Sequence, residues 1–225
     1  MSKIKVAIQG ELGAYSHIAT EKLYKDADIK TCSTFEETFK QAYNDQSYKI
    51  VIPIENSLAG RVADIHYLLP KYKLQIHGEY FLSVEHNLLG KLNAKIEDIK
   101  YVRSHAQAIS QCQNIIAKRK FKSIISLDTA GSAKDLAEGK DKSIAAIASD
   151  LSAKMYNLKI LEKNIEDESG NVTRFLIMGK NIEQPEYTAN KKFITSCIFR
   201  LKSEPSALYK CLGGFATNQV NLTKL

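Results

Sequence analysis

Short apolar runs alternate along the first two-thirds of the chain with longer stretches of helical periodicity. Residues 4–9 read as a buried strand closed by Gly10, and residues 15–24 as a helix. The run Ile50-Val51-Ile52-Pro53-Ile54 reads as a second buried strand, followed by a helix over roughly 61–69. The alternation continues with a strand near Tyr101-Val102, a helix over 106–118, a strand over 123–127 and a helix over 130–138. A strand at 143–147 and a helix at 148–156 follow, and Asn171 to Gly179 reads as one more buried strand. This order predicts βαβ units and a mainly parallel sheet, whose chemistry collects where strand ends meet helix starts.

The pattern breaks after Gly179. Residues 181–190 hold Pro185 and polar residues without apolar periodicity, and read as a linker. Beyond it, residues 193–201 alternate as a strand, 206–215 are amphipathic, and 220–222 look like another strand. One strand, one helix and half a hairpin cannot bury a sheet face alone, so this module is expected to be incomplete or completed by another chain.

Composition narrows the class. The 225 residues are 44% hydrophobic and 25% charged, with a net charge of +7, as in an ordinary globular protein. No stretch approaches a membrane span and no secretory signal opens the chain, so a cytoplasmic protein without membrane or nucleic-acid partners is expected. The basic residues are dispersed and interleaved with acids, which reads as a solvated surface; the positive balance suits a small anion. Cys32, Cys112, Cys197 and Cys211 are far apart and are expected to be buried or half-buried thiols. The histidines are scattered, and no metal or cofactor is implied.

Candidate chemistry lies at strand-to-helix junctions. Gly10 to Ser16 could admit an anion to a helix start, or be a tight turn with Ser16 as cap. Glu55-Asn56-Ser57 ends a buried strand with several fixed donors and acceptors, which can cap a helix or recognise carboxylate and hydroxyl groups. Ser104 can cap the next helix with Gln107 at the capping-box position, and His105 lies between them. Thr129 is a further possible cap. Thr173 and Arg174 open the last buried strand. There an Arg is costly unless paired or facing a site, and its planar fork suits a carboxylate.

The motifs Gly13-Ala14-Tyr15-Ser16, Pro53-Ile54-Glu55-Asn56-Ser57 with Gly60, Ser104-His105-x-Gln107, Ile165-Glu166-Asp167 and Asn171-x-Thr173-Arg174-Phe175 together resemble prephenate dehydratase, in order and spacing. The resemblance runs from about residue 4 to 179. It resumes in Ser206-Ala207-Leu208-Tyr209 and Asn218 to Lys224, which look like the start of an ACT regulatory domain. It departs from the family at Ala106, where Pro is common, and at Ser206, where Gly is usual. The segment that usually follows Asn-Leu-Thr-Lys in the family is not present.

The resemblance implies an α/β fold: a two-lobed, type II periplasmic-binding-protein-like catalytic domain, plus an incomplete α+β ACT domain of ferredoxin-like type. Residues 1–180 would be catalytic, with one lobe of about 1–79 and 165–180 and the other of about 80–164. A linker would occupy 181–191 and the partial ACT domain 192–225. It further implies decarboxylative dehydration of prephenate to phenylpyruvate without a cofactor. Thr173 would donate to the leaving hydroxyl. Asn56, Ser57, Gln107 and Thr129 would hold carboxylates and ring hydroxyl, supported by Ser104 and His105, with Phe175 at the site. Arg174 would pair with a substrate carboxylate or brace the cleft. Ala207, Leu208, Asn221 and Leu222 would belong to a phenylalanine-responsive site in a homodimer or homotetramer. Arogenate dehydratase and a non-catalytic two-lobed binder of small anions are the alternatives.

Overall fold

The computed structural model describes residues 3–181 and 186–223; Met1, Ser2, Lys224, Leu225 and the linker's Pro185 lie outside them. The chain divides into two units, residues 1–186 and 187–225. The first is mixed α/β and holds two sheets rather than one mainly parallel sheet.

The first sheet has the order β2 (Asp28–Cys32), β1 (Lys5–Gln9), β3 (Tyr48–Asn56), β11 (Val172–Gly179), β5 (Gln75–Ser83), with the short β4 (Gly60–Arg61) on β3. Strands β1, β2 and β3 are parallel, whereas β11 runs antiparallel between β3 and β5. The second sheet has the order β10 (Lys159–Glu162), β6 (Asn87–Gly90), β9 (Ile144–Ala148), β7 (Tyr101–His105), β8 (Lys122–Ser126). Here β7, β8 and β9 are parallel, and β6 is antiparallel to β9 and β10.

Each sheet carries apolar side chains on both faces. In the first lobe Ile50, Ile52 and Phe39 build one core, and Val6, Ile8, Val51 and Phe175 the other. In the second, Val102, Ile147 and Ile116 lie on one side, with Leu89, Ala133 and Leu136 on the other. The flanking helices supply the covering faces: α1 (Tyr15–Leu23), α2 (Phe35–Asn44) and α3 (Ala63–Tyr72) in the first lobe. Helices α4 (Ala106–Ser110), α5 (Gln113–Arg119), α6 (Thr129–Glu138) and α7 (Asp150–Met155) cover the second.

Because β5 stays in the first sheet to Ser83, the chain crosses between lobes at Val84 to His86, a few residues after Tyr80. It returns through Ile165 to Asn171. The two crossings are stitched side by side: Val84 N donates to Asn171 O at 2.8 Å, and Ile165 N to His86 O at 2.8 Å. Glu166 accepts from His86 N at 2.9 Å, and Asp167 accepts from the first amides of α5, Gln113 N at 2.7 Å and Asn114 N at 2.9 Å. A carboxylate at a helix start satisfies orphan N–H groups. This hinge role is what Ile165-Glu166-Asp167 does in the fold.

Phe175, expected at the site, is 1% exposed and packs in the first lobe's core. Strand alternation accounts for this placement: Phe175 and Ile177 point to one buried face, Leu176 and Met178 to the other. Phe175→Ala is expected to destabilise the protein by about 3–5 kcal/mol, because a buried ring leaves a cavity. Chemical denaturation checks this.

Among the described residues of the second unit, only α8 (Ala207–Thr217) is regular. The expected strands at 193–201 and 220–222 are not formed; a strand needs a neighbour to complete its ladder, and no strand lies within this unit's described residues. Ile194, Ile198, Leu208, Tyr209 and Leu222 are exposed, as is Asn221, while Ala207 is half-buried. Cys32 and Cys112 are buried and Cys211 intermediate, but Cys197 is exposed, against expectation. No described helix is long and apolar enough to cross a membrane.

Candidate active site

Thr173 and Asn56 sit opposite each other on β11 and β3. Their meeting depends on a bulge. Phe175 pairs with Pro53 and Arg174 with Glu55, so Ile54 is the extra residue on β3. Without it Glu55 would face Thr173, because a one-residue slip exchanges the faces of a strand. The Ile54 carbonyl is not wasted, since Val62 N donates to it at 3.0 Å.

Asn56 is buried, and its amide orientation is fixed. Its Oδ1 accepts from Leu58 N at 3.1 Å and Ala59 N at 2.9 Å in the turn beyond β3. Only the NH2 group can then face the strand. Its Nδ2 donates to Asn171 Oδ1 at 2.6 Å and to Thr173 Oγ1 at 3.0 Å. Thr173 Oγ1 is thus an acceptor toward Asn56, which leaves its own proton available to another group. Ser57 is exposed and clips the start of β11: Val172 N donates to its Oγ at 2.9 Å, and that hydroxyl donates to Gly170 O at 2.9 Å.

The Asn56 amide continues into a buried polar chain that the sequence reading missed. Asn171, 3% exposed, donates from Nδ2 to Gln111 Oε1 at 3.0 Å. That oxygen also meets His86 Nε2 at 2.9 Å, and His86 Nδ1 meets the Tyr15 hydroxyl at 2.9 Å. The Tyr15 hydroxyl also donates to Glu85 O at 2.7 Å. Burial raises the Tyr15 pKa and lowers that of His86, with the Gln111 bond and then Glu166 opposing the shift in His86. His86 is therefore neutral near pH 7.

The second lobe brings its candidates to the carboxyl ends of β7 and β8. His105 is the N-cap of α4, its Nδ1 accepting from Gln107 N at 3.3 Å. Ser104 does not cap the helix; it is buried, and its hydroxyl donates to Ile147 O at 2.6 Å, tying β7 to β9. Gln107, half-buried on the face shared with Gln111 one turn on, has no side-chain bond among the described residues. Asp128, rather than Thr129, caps α6 by accepting from Gly131 N at 2.6 Å, so the half-buried Thr129 hydroxyl is not committed to the cap. Ser16 is not a cap either. It lies inside α1, and His17 Nδ1 accepts from Gly13 N at 2.9 Å instead.

Arg174 is answered from within the protein. Its Nη2 lies 2.6 Å and its Nε 2.7 Å from Glu79 Oε2, and its guanidinium stacks near the Phe81 ring at 6.0 Å. It braces β11 against β5, so its charge is already matched.

Loop 11–13 of the first lobe is pressed onto the second. Gly13 O accepts from Ser149 Oγ at 2.7 Å and Ser152 Oγ at 3.0 Å, while Tyr156 donates to Leu12 O at 2.7 Å. Burial first, then nearby carboxylates, push the Tyr156 pKa up to about 12, so it remains a donor. Lys134 pairs with Glu11 at 3.2 Å.

His86 and His17 bear on acid stability. Burial lowers both below the ordinary value of 6.5 in the folded state. The unfolded chain then binds more protons as pH falls below about 6.5, so the stability they confer is complete above that pH and is lost as pH falls through the lowered native values. The urea midpoint should drop between about pH 7.5 and about pH 5.5; an unchanged midpoint would show that both rings titrate alike in the folded and unfolded chain.

A family model described as prephenate dehydratase matches residues 6–183. The chain is 40% identical over 224 residues to arogenate dehydratase/prephenate dehydratase 2, chloroplastic, of Arabidopsis thaliana, covering 100% of this chain and 58% of that protein. It is 41% identical over 219 residues to prephenate dehydratase of Methanocaldococcus jannaschii, covering 95% of this chain and 78% of that protein. The solved prephenate dehydratase of Staphylococcus aureus superposes with a TM-score of 0.74 at 27% identity, over 98% of this chain and 81% of that one. The chain thus spans just over half the length of its plant relative. With a match across both lobes and the hinge between them, this chain belongs to the prephenate dehydratase family.

Proposed function

We propose that this chain converts prephenate to phenylpyruvate, carbon dioxide and water, with Thr173 as donor to the departing hydroxyl. The observation that carries the reading is the Asn56 Nδ2 to Thr173 Oγ1 bond at 3.0 Å, with Asn56 Oδ1 held by two backbone amides. A Thr hydroxyl that must accept from Asn56 directs its proton elsewhere, into the space a substrate hydroxyl would occupy.

In the reaction the bond from ring carbon to carboxylate breaks and carbon dioxide leaves. Its electron pair enters the ring, and the opposite C–O bond breaks. The hydroxyl departs as water with a proton passed by Thr173, and solvent restores the Thr173 proton. Aromatisation supplies the driving force. A Thr hydroxyl is a weak acid, so strong hydrogen bonding with late proton transfer fits it best, and a positioned donor contributes roughly 10²–10⁴-fold.

Ser57, Gln107 and Thr129, with His105 at the α4 start, would hold the carboxylates and the ring hydroxyl as neutral donors. Ser104 would act through the β7–β9 join, and Arg174 by bracing β11. A second substrate, arogenate, is favoured by the arogenate dehydratase name of the Arabidopsis relative. By family resemblance, Ala207, Leu208, Asn221 and Leu222 would contribute to phenylalanine binding once a subunit partner completes the second unit. Absorbance of phenylpyruvate formed from prephenate tests the main reading; the same assay with arogenate separates the two substrates. Tight binding of prephenate without product would instead favour a non-catalytic binder.

A further inference from the structure

We infer that Gln111 is a positioning residue for Thr173, acting from the second lobe through Asn171 and Asn56, with His86 held behind it as the Nε2–H tautomer. The inference rests on the reading of Thr173 given above.

Donor and acceptor polarity fixes the orientation of every amide in the buried polar chain. Backbone amides of Leu58 and Ala59 can only donate, so Asn56 Oδ1 must face them and Asn56 Nδ2 must face the strand. Asn171 Oδ1 must then face Asn56, and Asn171 Nδ2 must face Gln111. Gln111 Oε1 is therefore the acceptor, and the His86 nitrogen 2.9 Å from it must carry a proton. A neutral His86 has one ring proton, so Nδ1 is bare and receives the Tyr15 hydroxyl, whose proton is shared with the Glu85 carbonyl.

Gln111 Oε1 is where two runs of donors converge. Losing it would free Asn171, whose other amide end fixes Asn56, whose second N–H aims Thr173. Gln111 follows α4, and its backbone carbonyl accepts from Asp167 N at 2.7 Å at the returning crossing. The amide chain thereby ties a second-lobe helix to the first-lobe residue that donates to substrate.

The test has two arms on the full chain. Two-bond proton–nitrogen correlation spectra near neutral pH, with the His86 signal assigned by its loss in His86→Asn, should show Nε2 protonated and Nδ1 bare. The opposite tautomer would overturn the polarity. In the second arm Gln111→Met keeps the side chain's length but removes the acceptor, and is expected to lower kcat by about 10- to 100-fold with KM little changed. Gln111→Glu, which still accepts from both Asn171 and His86, should recover most of that rate. Equal loss in the two variants would mean a packing role, and no loss in Gln111→Met would mean no role; either outcome removes the inference. If the unaltered chain forms no phenylpyruvate, the proposed function falls instead, while the spectra still decide the polarity.

Discussion

Thr173→Ala is expected to cut phenylpyruvate formation by about 10²–10⁴-fold, the range of a positioned proton donor, while leaving the protein folded. Thr173 is half-buried at the start of β11, and among the described residues its side chain makes one hydrogen bond, from Asn56 Nδ2. Removing it should cost about 1 kcal/mol of stability, a typical net value for such a bond. Thr173→Ser keeps an oxygen for Asn56 and a proton for substrate, and should stay far closer to the unaltered rate. Steady-state kinetics beside a thermal melt would decide the matter. Near-normal turnover in the alanine variant would remove Thr173 from the mechanism.

The second large effect is expected at Gly13. Its φ is +93°, and a Cβ there would meet Ser152 Oγ at 2.7 Å and Ser152 Cα at 3.0 Å. The near atoms include backbone of α7, so rotation of a side chain cannot relieve the contact. Backbone strain of about 1–3 kcal/mol and a similar cost of overpacking both apply to Gly13→Ala. The loop must retreat from the second lobe, stretching the bonds from Ser149, Ser152 and Tyr156. The expected result is a protein less stable by about 2–5 kcal/mol with a raised KM, since the lobes no longer meet closely. Calorimetry and kinetics on the same preparation check it. Unaltered stability and KM would show that the loop adapts freely.

Much of the frame was legible because buried strands announce themselves. The apolar runs at β1, β3, β9 and β11 were found within a residue or two. Strands β2, β5, β6 and β10 and helix α2 escaped. Strand β2 is an edge, mostly exposed, so Asp28-Ile29-Lys30-Thr31 carries no apolar run. Helix α2 did hold a local signal: Glu37 N donates to Thr34 Oγ1 at 3.1 Å, and Glu37 accepts from Ser33 N at 2.9 Å near the helix start. The split between α4 and α5 had no Gly or Pro to mark it. It arises from tertiary demands, with Asp167 receiving the first amides of α5 and Gln111 turned toward Asn171.

Asn56 and Thr173 stood out as candidates in the strand-end motifs, but the residues they are linked to did not. Gln111, His86 and Tyr15 join through bonds between residues 25 to 117 positions apart along the network, which no local spacing records. Arg174 was readable as a buried cation needing an anion; that the anion is Glu79 follows only from strand β5 lying beside β11.

The last strand of the first lobe to be synthesised sits in the interior of its sheet. Until residues 172–179 emerge from the ribosome, β3 and β5 each keep a bare edge, and such edges invite pairing with other chains. The second lobe's strands are continuous in sequence from 87 to 162 and can assemble beforehand. Biogenesis should therefore proceed from the inner lobe outward, with the closing strand of long sequence separation setting the pace. The motif that carries Thr173 is delivered in that closing step, so the proposed donor and the completed sheet arrive together.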